Sequence, residues 1–164
     1  MMKKIILTML CVMFASVVSA AGGAYIGEPA NTNIKSQSSL QKGAKTYMNY
    51  CLACHSMEFQ RYNRVAADLG LTEDEMMDSL VLTDAKFVDK MTHTMTKEDG
   101  TQWFGKAPPD LSVIAKARGV DWLYNYMINF YVDPTRPSAW NNLTFPNASM
   151  PHVLWEQQGI RKAK

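Results

Sequence analysis

Cys51, Cys54 and His55, within YCLACHS at residues 50–56, constrain this chain more than any other feature. Two thiols three residues apart, with an imidazole directly behind, can grip a metal, cycle as a dithiol or hold a haem covalently. A structural zinc site needs four ligands, usually thiolates and imidazoles. The chain has no second cysteine pair beside this one, and its other histidines are His93 and His152. A dithiol centre favours the start of a helix in a strand-rich fold, where the dipole lowers a thiol's pKa. Here the pair falls at the end of a helical pattern, with little strand signal around it. At about 100° per residue, positions i, i+3 and i+4 share an arc of about 100° on one helical face. Two thiols on that arc can reach both vinyl groups of one porphyrin edge, and the histidine projects onto the iron. The motif therefore reads as covalent attachment of one haem c, with Cys51 and Cys54 as the thioether cysteines and His55 as an axial ligand.

In bacteria such attachment requires export, and the N-terminus supplies a signal for it. Lys3 and Lys4 precede an apolar run of 14 residues, Ile5 to Val18, and Val18-Ser19-Ala20 offers small residues for cleavage. The run is short for a bilayer span, so residues 1–20 read as a cleaved signal peptide rather than an anchor. Cleavage would also remove Cys11. The full chain of 164 residues carries 17 basic and 15 acidic side chains; without Lys3 and Lys4 the two counts are equal. A neutral domain lacks the basic stripe that a nucleic-acid binder needs. The expected place is outside the cytoplasm, where an idle cysteine pair would oxidise.

Residues 21–37 are small and polar and read as an extended N-terminal arm; residues 38–164 read as one haem domain. Ser38 or Ser39 can cap a helix in which Leu40, Ala44, Tyr47, Met48 and Cys51 recur at helical spacing, with the haem motif at its end. Thr72 and Glu75 form a capping-box signature for a helix over 72–81. Residues 91–100 look like loop. Ala107-Pro108-Pro109-Asp110 is a breaker, followed by helices over 111–118 and 121–131. From Asp133 to Met150 the chain has no helical period, a long stretch whose Trp140, Leu143 and Phe145 argue for a functional loop. The expected fold class is all-α, short helices joined by long loops.

Iron held by His55 has an opposite face to fill. Methionine there gives an electron carrier of raised potential; an open face suits a ligand binder. Beyond the leader stand Met48, Met57, Met76, Met77, Met91, Met95, Met127 and Met150. Met48 and Met57 are too close to His55 in sequence to cross the ring, and Met76, Met77 and Met127 lie in helical patterns. Met91, Met95 and Met150 remain. Met150 is favoured because Pro151 biases it toward an extended backbone that can lay a thioether across a flat ring. Met95 is the runner-up; His93 and His152 are rival ligands, with a surface or hydrogen-bonded histidine the preferred reading of both.

The blocks GAKTYMNYCLACHSMEFQRYNR, TDAK, WFGKAPPDLSVIAKARGVDWLY, TRPSAWNNLTFPN and MPHVLWEQQG run in an order that resembles bacterial cytochrome c1, the haem subunit of ubiquinol–cytochrome c reductase. The resemblance spans about Leu40 to Gly159 and implies a cytochrome c-like haem domain. It implies that Met150 is the distal ligand, that Pro109 receives the second ring N–H of His55, that Arg118 meets a haem propionate, and that Trp122 assists through its indole N–H. It implies partners as well: one electron arrives from the Rieske iron–sulfur protein and leaves for a soluble cytochrome c, beside cytochrome b, on the periplasmic side of the inner membrane. The chain would be an electron-transfer subunit, not an enzyme by itself. Relative to that family, the sequence expectation is a chain lacking the C-terminal helix and membrane anchor, so that the apolar face of the 40–55 helix has no partner helix. Membrane association would then come through complex partners, or the protein would be soluble in the periplasm. A free-standing periplasmic cytochrome, or a haem sensor with a displaceable sixth ligand, is the alternative.

Overall fold

The computed structural model describes residues 27–162; the signal-peptide reading and the first part of the arm lie outside the described residues. Helix α1 (Gln37–Tyr50) begins at Ser36, whose side chain makes no capping bond. The expected cap at Ser38 or Ser39 is therefore displaced into the helix. α1 ends where the Tyr47 carbonyl accepts from both Cys51 and Leu52 N–H.

Three elements that the sequence reading did not expect follow. β1 (Met57–Arg61) pairs antiparallel with β2 (Lys90–Met91), placing Met57 opposite Met91. Between them, α2 (Tyr62–Leu69) buries Tyr62, Ala66 and Leu69 on one face and stops at Gly70. Gly70 has φ 63°, a left-handed turn that favours glycine. α3 (Glu73–Ser79) has the expected capping box, with both reciprocal bonds formed between Thr72 and Glu75. Met48, Leu52, Tyr62, Ala66, Leu69, Met76, Leu80 and Met91 form one core cluster. An apolar cavity of about 360 Å³ opens along α1, lined by Ala44, Tyr47, Met48, Met57, Leu69 and Met91 among others. It lies along the apolar face of α1.

The stretch expected as loop over 91–100 is partly helical. Thr96 accepts from Asp99 N–H and caps α4 (Lys97–Phe104), which ends at Gly105. α5 (Ile114–Arg118) and α6 (Val120–Ile128) follow the proline breaker, both shorter than the sequence suggests. β3 (Phe130–Val132) then pairs antiparallel with β4 (Trp140–Asn142), and α7 (Trp155–Gln158) closes the described chain. The expected all-α class is thus corrected to helix-rich with two short two-stranded sheets. Among the described residues no helix is long and apolar enough to cross a membrane. The described end of the arm is docked: Glu28 N–H donates to Asn125 Oδ1, and Asn125 Nδ2 returns a bond to Glu28 O.

The long loop over 133–150 is held by two buried asparagines. Asn142, 1% exposed, donates from Nδ2 to the Tyr126 carbonyl and accepts at Oδ1 from Thr144 and Phe145 N–H. Asn141 donates to Asp133 and accepts from Asn147 N–H. Backbone groups that would otherwise be orphaned are thus satisfied without helix or sheet. Asn142→Ala should cost about 2–3 kcal/mol by leaving buried backbone groups unpaired; urea unfolding of haem-loaded protein measures it.

Candidate haem site

Beyond α1 the chain makes one further turn. Cys54 and His55 N–H both donate to the Cys51 carbonyl, at 3.0 and 2.8 Å. The motif therefore lies in a turn after the helix, yet keeps the i, i+3, i+4 geometry that brings thiols and imidazole to one side. Cys51 and Cys54 are free and half-buried, with no disulfide between them. Burial pushes the Cys51 thiol above its ordinary value, and nearby Cys54 adds to this; burial alone does the same for Cys54.

His55 is held from two directions. Its Nδ1–H donates to the Pro109 carbonyl at 2.7 Å. Its own carbonyl accepts from the Tyr47 hydroxyl at 2.6 Å. Burial lowers the imidazole pKa; the Pro109 bond opposes that, His93 adds to it and Asp110 opposes it. A neutral ring with Nδ1 protonated leaves the Nε2 lone pair available, the form an iron ligand requires.

Pro109 is itself fixed by a short ladder. Leu111 N–H donates to the Ser56 carbonyl at 2.8 Å. Glu58 N–H donates to Asp110 Oδ2 at 2.9 Å, and Phe59 N–H to Ser112 Oγ at 3.1 Å. Ser112 N–H donates to Asp110 Oδ1, closing a turn. The segment over 109–112 is thereby laced along residues 55–59. Behind it, Gly100 of α4 abuts the prolines: a Cβ there would lie 2.7 Å from Pro108 Cδ and 3.3 Å from Met95 Sδ.

These contacts sort the expected sixth ligands. Met91 is a core residue, 2% exposed, and is removed from the candidates. Met95 lies with its sulfur beside Gly100, in the packing behind the proline segment. Met150 is half-buried, between buried Ala148 and His152. His93 donates its backbone N–H to Ser56 Oγ, and its Nδ1 is buried without a partner. His152 is buried among aromatic rings.

Arg118 lies over the Trp122 ring at 5.0 Å and over Phe145 at 5.9 Å. Arg118 and Trp122 are thus brought together, through the face of the indole. Among the described residues no carboxylate pairs with Arg118. Free thiols in one turn and an imidazole fixed by Nδ1 fit a covalently attached haem. The sequence analysis did not single out Tyr47 as a support for His55, nor Asp110, Ser112 and Gly100. Of these, only the Asp-x-Ser turn after the prolines has a local signature.

The model of the Cytochrome C1 family matches residues 32–160. The chain belongs to the cytochrome c1 family. That family carries covalently bound haem c in electron transport, which agrees with the free thiols and oriented imidazole. The chain is 44% identical over 162 residues to cytochrome c1 of Allochromatium vinosum, covering 99% of the chain and 66% of the relative. It is 43% identical over 159 residues to a Nitrosomonas europaea protein named ammonia monooxygenase gamma subunit, covering 96% of the chain and 68% of that relative. Cytochrome c1 of Rhodospirillum rubrum is 29% identical over 126 residues, 63% of the chain and 45% of the relative. The chain thus spans about two thirds of the length of the first two.

Two outcomes test the geometry. Burial raises the Asp110 pKa, but its bonds from Ser112 and Glu58, with His55 nearby, outweigh this and hold the carboxyl below the usual range. Its contribution is therefore complete above the unfolded value of about 3.9 and lost as pH falls through the lower folded value. Asp110→Asn should shallow the acid limb of a stability–pH profile followed by denaturant unfolding. Gly100→Ala should lower stability by about 1–3 kcal/mol through overpacking against Pro108, read by the unfolding midpoint.

Proposed function

We propose that this chain is a cytochrome c1 electron-transfer subunit, with residues 1–20 as a cleaved leader and residues 38–164 as its haem domain. The observation that carries the reading is the His55–Pro109 bond at 2.7 Å, which orients the histidine of a Cys-x-x-Cys-His motif. Cys51 and Cys54 would hold the porphyrin by thioethers, His55 and Met150 would ligate the iron, and Arg118 would neutralise a propionate. Bound there, haem iron supplies reversible one-electron chemistry. The chain's own work is positional: Pro109 and Tyr47 aim His55, the asparagine-laced loop carries Met150, and Trp122 seats Arg118.

The electron is taken from a Rieske iron–sulfur protein and passed to a soluble c-type cytochrome, within an assembly containing cytochrome b on the periplasmic side of the inner membrane. The chain alone breaks no substrate bond. The Nitrosomonas relative's name raises a second assembly, and affinity purification from membranes separates the two. Recovery with cytochrome b and Rieske proteins supports the proposal; recovery with monooxygenase subunits contradicts it.

The ligand set is tested by absorption spectra. Reduced protein should show sharp c-type bands, and oxidised protein a far-red methionine–iron charge-transfer band. Met150→Ala should abolish that band and lower the midpoint potential, since a thioether ligand favours ferrous iron. Met95→Ala should keep both. Spectra of a haem with an open sixth position would favour the sensor reading instead.

A further inference from the structure

His152 has no place in the ligand set above, yet it is one of the most buried polar residues described, at 2% exposure. Its Nδ1 has no hydrogen-bond partner. Its ring lies flat on Phe130, with centroids 5.0 Å apart and an interplanar angle of 8°. It meets Trp140 edge-on at 5.1 Å and 79°. A buried ring nitrogen left unpaired is a cost that a hydrogen-bonding role would remove. The position therefore uses the imidazole as an aromatic plate.

The plate ends a continuous column. Phe130, 1% exposed, packs edge-on against Tyr126 at 5.1 Å, and Tyr126 stacks on Trp122 at 5.2 Å and 7°. Trp122 carries the Arg118 guanidinium. Residues 122, 126 and 130 recur every four positions, so α6 and the start of β3 present one aromatic edge. That edge runs from the proposed propionate cation to a residue two past Met150. Pro151 lies between, and its ring locks one of the few soft torsions separating the two side chains. Fixing the ring of His152 therefore restrains the backbone that carries Met150, two residues away.

We infer that His152 is a positioning residue: an aromatic plate, packed against Phe130 and Trp140, that holds the Met150 thioether on the haem iron. The inference rests on the reading of Met150 as distal ligand. Loosening the plate lets the thioether leave the iron more often, and an added ligand then takes its place more readily.

The test uses haem-loaded, oxidised protein, following the far-red band and the affinity for added imidazole. The variants are His152→Ala, His152→Phe, Phe130→Leu and Met150→Ala. His152→Ala should weaken the band and bind imidazole about tenfold more tightly, the scale expected from losing two ring contacts. His152→Phe should keep the band and an affinity within about twofold of the parent, because the plate survives. Phe130→Leu should move in the direction of His152→Ala. A band that persists in Met150→Ala overturns the ligand reading itself. A band lost in Met150→Ala, with imidazole affinity unchanged in both His152→Ala and Phe130→Leu, overturns the plate alone. His152→Phe behaving as His152→Ala also overturns it, because the nitrogen would then be what matters. Should His152→Ala fail to take up haem, Phe130→Leu decides: a rise in imidazole affinity supports the plate, and none overturns it.

Discussion

The bond from His55 Nδ1 to the Pro109 carbonyl joins residues 54 positions apart, and the site is organised around it. It selects one tautomer, turns the ring and leaves the second nitrogen for iron. A single such bond is worth little net free energy, so its precision has to come from what surrounds it. The Ser56, Asp110 and Ser112 bonds lace the two backbones together, and the close approach at Gly100 backs the prolines. Tyr47 closes the other side of His55 from within α1. The helix that leads into the thiols therefore also restrains His55, the proposed iron ligand that follows them.

The second half is built differently. The haem motif stands beside a conventional apolar cluster centred on Tyr62, Met76 and Met91. Met150 instead comes from a loop whose order rests on buried asparagine side chains and stacked rings. Amide networks of this kind satisfy backbone groups that neighbouring helix and sheet leave unpaired. They also explain how a long non-helical stretch can hold Met150, the proposed distal ligand, in a fixed position. Arg118 links this half to the site through Trp122, where a weakly hydrated guanidinium suits an aromatic face.

What was legible in the sequence follows from locality. The capping box at Thr72 and Glu75 involves four consecutive residues, and it formed as read. The Cys-x-x-Cys-His turn is equally local. α2 was missed although Tyr62, Ala66 and Leu69 with Gly70 carry a short helical period and a stop. α4 begins inside the 91–100 stretch expected as loop, where Thr96 and Asp99 cap a helix. β1 and β2 have no local signature, since a two-residue strand exists only by pairing with Met57 and its neighbours. The same limit hid the support of His55: Asp110 and Ser112 bond to residues more than fifty positions away. Met91 could be set aside only once its packing was seen. Pro109, Arg118 and Trp122 entered through the family resemblance; the structure bonds Pro109 to His55 and seats Arg118 on Trp122.

Proton magnetic resonance of the reduced, haem-loaded protein tests the His55–Met150 pairing most directly, because the ring current of a haem shifts the methyl group of a bound methionine far upfield. The expected result is one such methyl, absent in Met150→Leu and retained in Met95→Leu. A spectrum without an upfield methionine methyl, or one that loses it only in Met95→Leu, would contradict the pairing.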